Sequence, residues 1–232
     1  MIRILIYLDP GHGGKDPGAV GNGLKEKEIV LDICERINKS LKQYENVTVM
    51  MSRNTDVFVS LEERTKQANN LDADVFLSVH INSSTNVTAK GFETHIFPNS
   101  GSATVALQNV LHQEIYRQIN KETIDRGKKQ SNFHVLRDSK MKALLTENLF
   151  ISNPSEGYLL SNPDFRQKLA DGHVIGLEKF FGLKKKATPT PPPEKTRVYH
   201  RVIVGSFEEK TNAEALASDL RKIGYRPWIS SE

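Results

Sequence analysis

Two histidines and two glutamates in this chain have the residue types and the positions of a hydrolytic metal site. His12 and His80 each follow a short apolar run, and so does Glu147. Glu26 stands at the start of the first amphipathic helical pattern. Two neutral imidazoles and one carboxylate can hold a catalytic zinc ion, and a second carboxylate can take a proton from the bound water. Residue types and spacing alone therefore predict a metal-assisted hydrolase.

The first histidine lies in a turn that permits close approach. The apolar residues 4–8 predict a buried strand, which leads into the sequence DPGHGG at residues 9–14. Glycines let the backbone turn sharply and keep side-chain bulk away from His12. The carboxyl end of a central strand is also where α/β proteins place ligand sites. We expect His80, which follows the apolar residues 75–79, to reach the same sheet edge.

Four ordered motifs carry a family resemblance over residues 1 to 183. They are DPGHGG at 9–14, the Glu-Lys pair at 26–27, SVHIN at 78–82 and LLTEN at 144–148. Together they resemble the zinc-dependent N-acetylmuramoyl-L-alanine amidases of the type-3 amidase family. The resemblance implies that His12, Glu26 and His80 bind one Zn²⁺ per chain and that Glu147 is the catalytic carboxylate. It also implies hydrolysis of the amide between the lactyl group of N-acetylmuramic acid and L-alanine of the peptidoglycan stem peptide.

Several alternatives stay open at this point. Glu28 competes with Glu26 as the ligand, because both lie in a charged helix start, although the family register favours Glu26. A zinc peptidase or carboxypeptidase acting on the stem peptide could use the same residues. A non-catalytic peptidoglycan-binding protein with a degenerate site is the more distant alternative, and four intact motif residues argue against it.

Five further residues are candidates for supporting the site. Asp9, Asn82 and Asn148 could orient the ligand imidazoles or the substrate. Arg53 and Arg64 could recognise a stem-peptide carboxylate, or could form surface salt bridges. The remaining histidines have no matching motif and are predicted to be structural or exposed; they are His95, His112, His134, His173 and His200.

Alternating helical and strand patterns predict a layered α/β domain. The predicted strands are 4–8, 47–51, 75–79, 91–97 (with one solvated face), 133–136 and 143–146, and the predicted helices are 26–41, 61–71, 103–119 and 163–181. Ser60 and Glu63 form a predicted capping box for the second helix. The pattern indicates a mixed, largely parallel sheet of about six strands flanked by helices, and the resemblance implies the same fold.

The composition changes after residue 183. Residues 184–196 are rich in proline and lysine, which predicts a linker between the amidase domain and a small tail. Residues 197–232 predict one β-α-β unit, with strands at 198–204 and 226–230 around a helix at 210–223. This unit resembles one repeat of a SPOR-type peptidoglycan-binding domain. Such domains usually have two repeats, and one alone buries little apolar surface, so the unit could dock on a neighbour, pair with a second copy or be a remnant.

Charge is distributed unevenly between these regions. Residues 184–232 contain ten Lys or Arg and six Asp or Glu, whereas the preceding residues contain 22 of each kind. The basic tail indicates attraction to anionic wall polymers. Nucleic acid is not expected as a partner, because the tail lacks a dense Lys/Arg stripe and has few stacking aromatics.

Composition also bears on compartment. No stretch approaches the about 20 apolar residues of a membrane span, and Met1–Leu8 is too short for a secretory signal. We therefore expect synthesis in the cytoplasm and action on the wall after lysis or holin-type export, in a phage lysin or a bacterial autolysin. Cys34, the one cysteine, lies on the apolar face of a helix and is predicted to be an inert core thiol.

Overall fold

The computed structural model describes residues 3–187 and 202–230. The chain divides into two compact units, residues 1–187 and residues 188–232. In the first unit the strands are β1 (Ile4–Pro10), β2 (Val20–Gly21), β3 (Leu24–Lys25), β4 (Val47–Met51), β5 (Val75–Asn82), β6 (Phe92–Ile96), β7 (Asp125–Gln130) and β8 (Lys142–Phe150). Its helices are α1 (Glu26–Leu41), α2 (Leu61–Asn70), α3 (Ser102–Ile119), α4 (His134–Arg137), α5 (Pro154–Ser161) and α6 (Pro163–Phe181).

Six of these strands form one sheet in the order β4-β1-β5-β8-β6-β7. Neighbouring strands are parallel except at the β6–β8 pair, which is antiparallel. Strands β2 and β3 form a separate small hairpin. The predicted fold class, a mixed and largely parallel sheet of about six strands, is confirmed.

The two faces of the sheet are covered to different extents. One face packs against α1, α3 and α6 and contains the larger core, with Leu77 and Leu144 among its fully buried side chains. The other face holds a smaller core formed with α2 and α4, which includes Phe76 and Leu145. Because side chains alternate along a strand, His80 lies on the second face, beyond the end of that smaller core. We call the part of the second face around His80, beyond the smaller core, the open face.

The edge strand beside β6 differs from the strand that the sequence predicts. The segment 133–136 is not a strand, because α4 begins at His134 and Phe133 precedes it as the N-cap. Three apolar residues in a four-residue segment do not distinguish a strand from a buried helical turn. The actual edge strand is β7, whose sequence DRGKKQ shows no apolar alternation. Charged edge strands of this kind protect a sheet from pairing with other molecules.

Strand β6 is more buried than its sequence indicates. The predicted solvated face is wrong, since every residue of Phe92–Ile96 is buried. The strand lies between β8 and β7, and its polar side chains have buried partners: Glu93 pairs with Arg126, and Thr94 shares a hydrogen bond with His112. Partnered polar residues in a central strand produce the same alternation as a half-exposed strand.

Helix boundaries follow local capping chemistry. Ser60 Oγ accepts a hydrogen bond from Glu63 N at 3.2 Å, as predicted, but the Glu63 carboxylate accepts from Gln67 instead of completing the capping box. Helix α5 was not predicted, although Asn153 Oδ1 accepts from two backbone N–H groups at its start and Pro154 follows. Its eight residues contain too short an apolar pattern to indicate a helix.

The first residues of the predicted linker belong to the first unit. Lys184 O accepts a hydrogen bond from Glu45 N at 2.8 Å, and Lys186 N donates to Gln43 O at 2.7 Å. These bonds tie the chain after α6 to the loop that follows α1. Residues 188–196 of the predicted linker lie outside the described residues.

The second unit contains helix α7 (Lys210–Lys222), which matches the predicted helix. Part of the predicted strand 198–204 lies outside the described residues. The described residues 202–204, and the predicted strand 226–230, are not strands. A strand requires a hydrogen-bonded neighbour, and these segments have none among the strand pairs of the described residues. No described helix is long and apolar enough to cross a bilayer.

Candidate active site

The turn after β1 places His12 beside His80. A Cβ atom on Gly11 would lie 2.3 Å from the His80 ring, so only glycine fits at this position. His12 itself has φ 59°, in the left-handed region that non-glycine residues rarely adopt. The two imidazole rings meet edge to face with centroids 5.0 Å apart. Backbone strain of this kind is characteristic of functional sites.

Two buried arginines hold this turn in place. Arg64 Nη2 donates to His12 O at 2.6 Å, and Arg53 Nη2 donates to Gly11 O at 2.8 Å. Arg53 and Arg64 are 3% and 2% exposed. Neither sequence-based alternative fits them, because they form no surface salt bridge and their guanidinium groups are occupied inside the protein. They position the His12 turn and leave substrate recognition to other residues.

Asp9 supports the turn through Arg64. Its carboxylate accepts from Ser52 Oγ at 2.6 Å, from Ser78 Oγ at 2.8 Å and from Arg64 Nη1 at 2.5 Å. Burial alone would raise the pKa of Asp9, but the Arg64 charge and the serine hydrogen bonds lower the pKa below its ordinary value. Asp9 therefore stays charged and anchors the arginine that holds the His12 carbonyl.

Glu26, the first residue of α1, bridges the two histidines. Glu26 Oε1 lies 2.9 Å from His80 Nδ1, and Glu26 Oε2 lies 3.2 Å from His12 Nε2. Burial raises the pKa of Glu26, but the hydrogen bonds to His12 and His80 outweigh it, so the pKa lies well below the usual range. One donor atom from each of the three residues lies within 4.8 Å of the others, so this set fits a metal ion.

Glu28 does not reach the histidines. Its carboxylate accepts from Lys25 Nζ at 3.3 Å, and its side chain is 60% exposed. Because Glu26 faces the core while Glu28 faces solvent, the geometry selects Glu26 from the two sequence candidates. Ala19 N and Ile81 N donate to the Glu26 carboxylate as well, which fixes its orientation.

Asp16 is a supporting residue that was not among the sequence-based candidates. Its Oδ2 lies 2.8 Å from His12 Nδ1, which leaves Nε2 directed at Glu26. A carboxylate on the far nitrogen of a ligand histidine fixes the tautomer and orients the ring. Burial lowers the pKa of His12, but Glu26 and Asp16 together raise it. The signal in the sequence is the carboxylate four residues after His12, within the same glycine-rich turn.

Glu147 lies directly beside His80 in the sheet. The two residues are register partners on β8 and β5, and the register shifts immediately after them. Leu149, with φ 74°, lies in this irregular segment. Glu147 Oε2 is buried and has no hydrogen-bond partner among the described residues. Burial, followed by the charges of Glu26 and Glu93, raises the pKa of Glu147 well above its ordinary value. An orphaned, perturbed carboxylate beside a metal-ligand set indicates a catalytic group.

The two asparagine candidates have different roles. Asn148 Nδ2 donates to His80 O at 3.0 Å, so Asn148 holds the backbone of one histidine. Asn82 Nδ2 instead donates to Glu93 Oε1 at 3.0 Å, on the side of Glu147 away from the metal-ligand set. Neither amide hydrogen-bonds to an imidazole among the described residues. Asn82 leads to a polar cluster around Glu93 that the sequence alone did not indicate.

Cys34 and the other described histidines lie outside the metal-ligand set. Cys34 is fully buried in the larger core, and burial raises the pKa of its thiol well above the ordinary value. His112 and His173 are buried with hydrogen-bond partners, and His134 is partly exposed on α4. His95 is also buried but belongs to the Glu93 cluster. His200 lies outside the described residues.

Comparison with known families decides the identity of the first unit. Residues 6–179 match the Amidase_3 family model, described as N-acetylmuramoyl-L-alanine amidase. The chain belongs to the N-acetylmuramoyl-L-alanine amidase family. It is therefore an enzyme, and His12, Glu26, His80 and Glu147 all lie within the matched region. Residues 182–231 match the SPOR domain, a range that begins earlier than the predicted repeat at 197.

Two similar proteins carry the amidase name, and a third is named an endolysin. A sporulation-specific N-acetylmuramoyl-L-alanine amidase of Bacillus subtilis (strain 168) is 44% identical over 223 residues, covering 96% of this chain and 82% of the relative. The amidase CwlM of Bacillus licheniformis is 40% identical, with 96% and 83% coverage. An endolysin of Bacillus phage SPP1 is 43% identical, with 83% and 72% coverage.

Solved structures agree with the fold. The catalytic domain of the amidase CwlV from Bacillus (Paenibacillus) polymyxa var. colistinus matches with a TM-score of 0.74 and 36% identity, covering 78% of this chain and 99% of that domain. An amidase from Clostridium difficile 630 matches with a TM-score of 0.76 and 32% identity, with 78% and 98% coverage. The amidase fold is thus the fold of the first unit.

Proposed function

We propose that this amidase is zinc-dependent and cleaves the amide between the lactyl group of N-acetylmuramic acid and L-alanine of the stem peptide. The single observation that carries the proposal is the convergence of His12, Glu26 and His80 beside the orphaned carboxylate of Glu147. A ligand set that includes a carboxylate and two imidazoles, with a second carboxylate at hand, supports hydrolysis by an activated water.

The ligand residues fit zinc in number and chemistry. His12, Glu26 and His80 would hold the ion, and Asp16 would orient the first of these ligands through its hydrogen bond to Nδ1. A zinc ion bound there supplies Lewis acidity and a water whose pKa is lowered toward about 7.

Glu147 carries the proton transfers in this proposal. Its Oε2 takes a proton from the water that attacks the lactyl amide carbonyl, and then gives that proton to the departing alanine nitrogen. Burial and the charges of Glu26 and Glu93 raise the pKa of Glu147, which suits the step in which it donates a proton. Asn148 and the two buried arginines keep the backbone of both histidines in place during this cycle.

Product analysis tests the proposal. Purified peptidoglycan is digested with and without a chelator, then with zinc restored, and the released products are identified by mass spectrometry. Free stem peptides with an N-terminal L-alanine, lost on chelation and restored by zinc, are expected. Products cut inside the peptide would instead indicate a zinc peptidase, and absence of products would indicate a wall-binding protein without activity.

The second unit gives the enzyme a peptidoglycan-binding module of the SPOR type. We propose that the excess of basic residues over the C-terminal segment 184–232, ten Lys or Arg against six Asp or Glu, adds attraction to anionic wall polymers. Most of this excess comes from the three lysines at 184–186, because residues 188–232 contain seven basic and six acidic residues. Binding to sacculi with and without their anionic polymers, compared at about 0.05 M and 0.5 M salt, tests this. Binding that is equal in all four conditions would remove the electrostatic contribution.

The place of action is a further proposal. We expect the enzyme to be made in the cytoplasm and to reach the wall after lysis or holin-type export. One relative supports a lytic role, since it is named an endolysin of a Bacillus phage. Fractionation of producing cells before and after lysis tests it: activity in the wall fraction before lysis would contradict the proposal.

A further inference from the structure

The open face of the sheet extends past the metal-ligand set. His80 pairs in register with Glu147, and Glu147 pairs in register with Glu93 on the next strand. Register partners on adjacent strands direct their side chains to the same face, so these three residues form one row across the sheet. The row places Glu93 on the side of Glu147 away from the metal-ligand set.

Glu93 gathers two cations at this end of the row. Glu93 Oε2 accepts from Arg126 Nε at 2.6 Å and from Lys129 Nζ at 2.5 Å. Glu93 Oε1 accepts from Asn82 Nδ2 at 3.0 Å and lies 3.2 Å from His95 Nε2. The carboxylate is therefore fully engaged, while the cations outnumber it by two to one.

The two cations are held firmly but remain accessible. The Arg126 guanidinium lies over the Phe150 ring at 4.8 Å, and its stem fills the space beside Gly91, where a Cβ would come within 2.6 Å of Arg126 Cγ. The side chains of Arg126 and Lys129 are nonetheless 33% and 37% exposed. Arg126 Nη1 also donates to Lys90 O at 3.4 Å, and both side chains retain N–H donors beyond these bonds. Fixed cations with unused donors form a site for an anion.

We propose that Arg126 and Lys129 bind a free carboxylate of the stem peptide, and that Glu93 is the residue that positions them. The proposal rests on the proposed function, because it requires the scissile amide to lie between the metal-ligand set and Glu147. The stem peptide then follows the row of side chains toward β7. The peptide brings several carboxylates past the scissile bond. The buried Arg53 and Arg64 cannot receive them, whereas Arg126 and Lys129 lie on the open face.

Neighbouring residues on β7 supply a matched control. Lys128 precedes Lys129 in sequence, but its Nζ donates to Asn109 of α3 at 2.7 Å, on the opposite face of the sheet. A loss of lysine charge from β7 can therefore be compared on the two faces of the same strand.

Kinetics on paired muropeptides test the proposal. The two substrates differ only in whether the carboxyl groups of the stem peptide are free or amidated. The wild-type enzyme should favour the free form by about tenfold or more in kcat/KM, through KM. Lys129→Met and Arg126→Gln should each reduce that preference to within about twofold, while Lys128→Met should keep it. Glu93→Gln should narrow the ratio of the KM values for the two substrates, and this ratio is the readout because the Glu93 charge also acts on Glu147.

Failure of this proposal and failure of the proposed function give different results. Equal turnover of both substrates by the wild-type enzyme, with L-alanine at the new N-terminus, would overturn the carboxylate site and leave the function standing. If neither substrate is cleaved, calorimetric titration of the zinc-free protein with free and amidated stem peptides still decides, since equal affinities would overturn the site. Stronger inhibition by glycerol phosphate than by the free stem peptide would assign the cations to a phosphate and also overturn it.

Discussion

The two units of this chain differ in how their apolar residues are used. In the first unit, a six-stranded sheet buries side chains on both faces and holds four motif residues at fixed positions. In the second unit, Ala217 is the buried hydrophobic residue among those described, while Val202 and Trp228 are 86% and 66% exposed. Catalysis requires atoms held in place by packing, so the candidate site lies entirely in the unit that has a core.

This difference separates two kinds of contribution to function. The first unit supplies chemistry through a few side chains. Close-packed glycines, buried arginines and the pairing of neighbouring strands together fix the positions of these side chains. The second supplies attachment, which tolerates a looser arrangement because it depends on exposed surface. Changes in the first unit should therefore alter stability or turnover strongly, and loss of the second should alter binding to intact wall.

The largest effect is expected from removing the arginine beneath the His12 turn. Arg64→Ala should lower the free energy of unfolding by about 3–5 kcal/mol, because it leaves the Asp9 carboxylate buried without its charged partner. Urea unfolding measures this change. Lys25→Ala, which removes an exposed ion pair to Glu28, is the control and should change stability by less than about 0.5 kcal/mol. Similar values for both variants would contradict the anchoring role.

A smaller effect, on catalytic efficiency, is expected from filling the space beside the His80 ring. Gly11→Ala places a methyl group 2.3 Å from the ring and should lower kcat/KM by about 10²-fold, because the ring must move from the metal-ligand set. Gly101→Ala is the control, since a methyl group there would have nothing within 4 Å among the described residues and activity should be retained. Full activity in Gly11→Ala would show that the close approach of residue 11 to the His80 ring is not required.

A buried histidine should make stability depend on pH. Burial lowers the pKa of His173 from 6.5 to about 4, so the unfolded chain binds a proton in the window between these values while the folded chain does not. Stability contributed by neutral His173 is therefore lost as pH falls through this window, by about 2 kcal/mol between pH 7.5 and 5. Urea unfolding of zinc-free protein should show a shallower pH slope in His173→Gln than in the wild type. Equal slopes would contradict the assignment.

The smallest catalytic effect is expected from removing residues 188–232. Turnover of soluble muropeptides should stay within about twofold of the full chain, because the ligand set and Glu147 lie in the compact first unit. Pull-down with intact sacculi should show weaker binding of the shortened enzyme. Loss of turnover on soluble substrate would show that the second unit contributes to the chemistry.

The sequence predicts the parts of the fold that have apolar periodicity. The buried strands β1, β5 and β8 and the amphipathic helix α1 are recognisable because their apolar residues repeat at the period of the element. Strand β7 is not, since its charged residues reflect its place at the sheet edge. The first residues of the predicted linker also bind the loop after α1, which composition does not indicate because those bonds use the backbone.

The residues of the candidate site also differ in how well the sequence predicts them. The candidate ligands and the candidate catalytic carboxylate can be found in the sequence, because a histidine or glutamate directly after an apolar strand indicates a functional role. The supporting residues are less visible, since Arg53 and Arg64 are distinguished from surface arginines by buried partners: backbone carbonyl groups of the His12 turn for both, and the Asp9 carboxylate for Arg64. The Glu93 cluster depends on the antiparallel pairing of β6 with β8, which no local pattern indicates.

The central claim is that metal binding and proton transfer are separate duties of neighbouring residues. The most direct test measures zinc content and turnover together in His80→Ala and Glu147→Gln. We expect His80→Ala to lose both zinc and activity, and Glu147→Gln to keep one zinc per chain while losing activity by about 10³-fold. Loss of zinc from Glu147→Gln, or substantial turnover in its zinc-loaded form, would contradict the account.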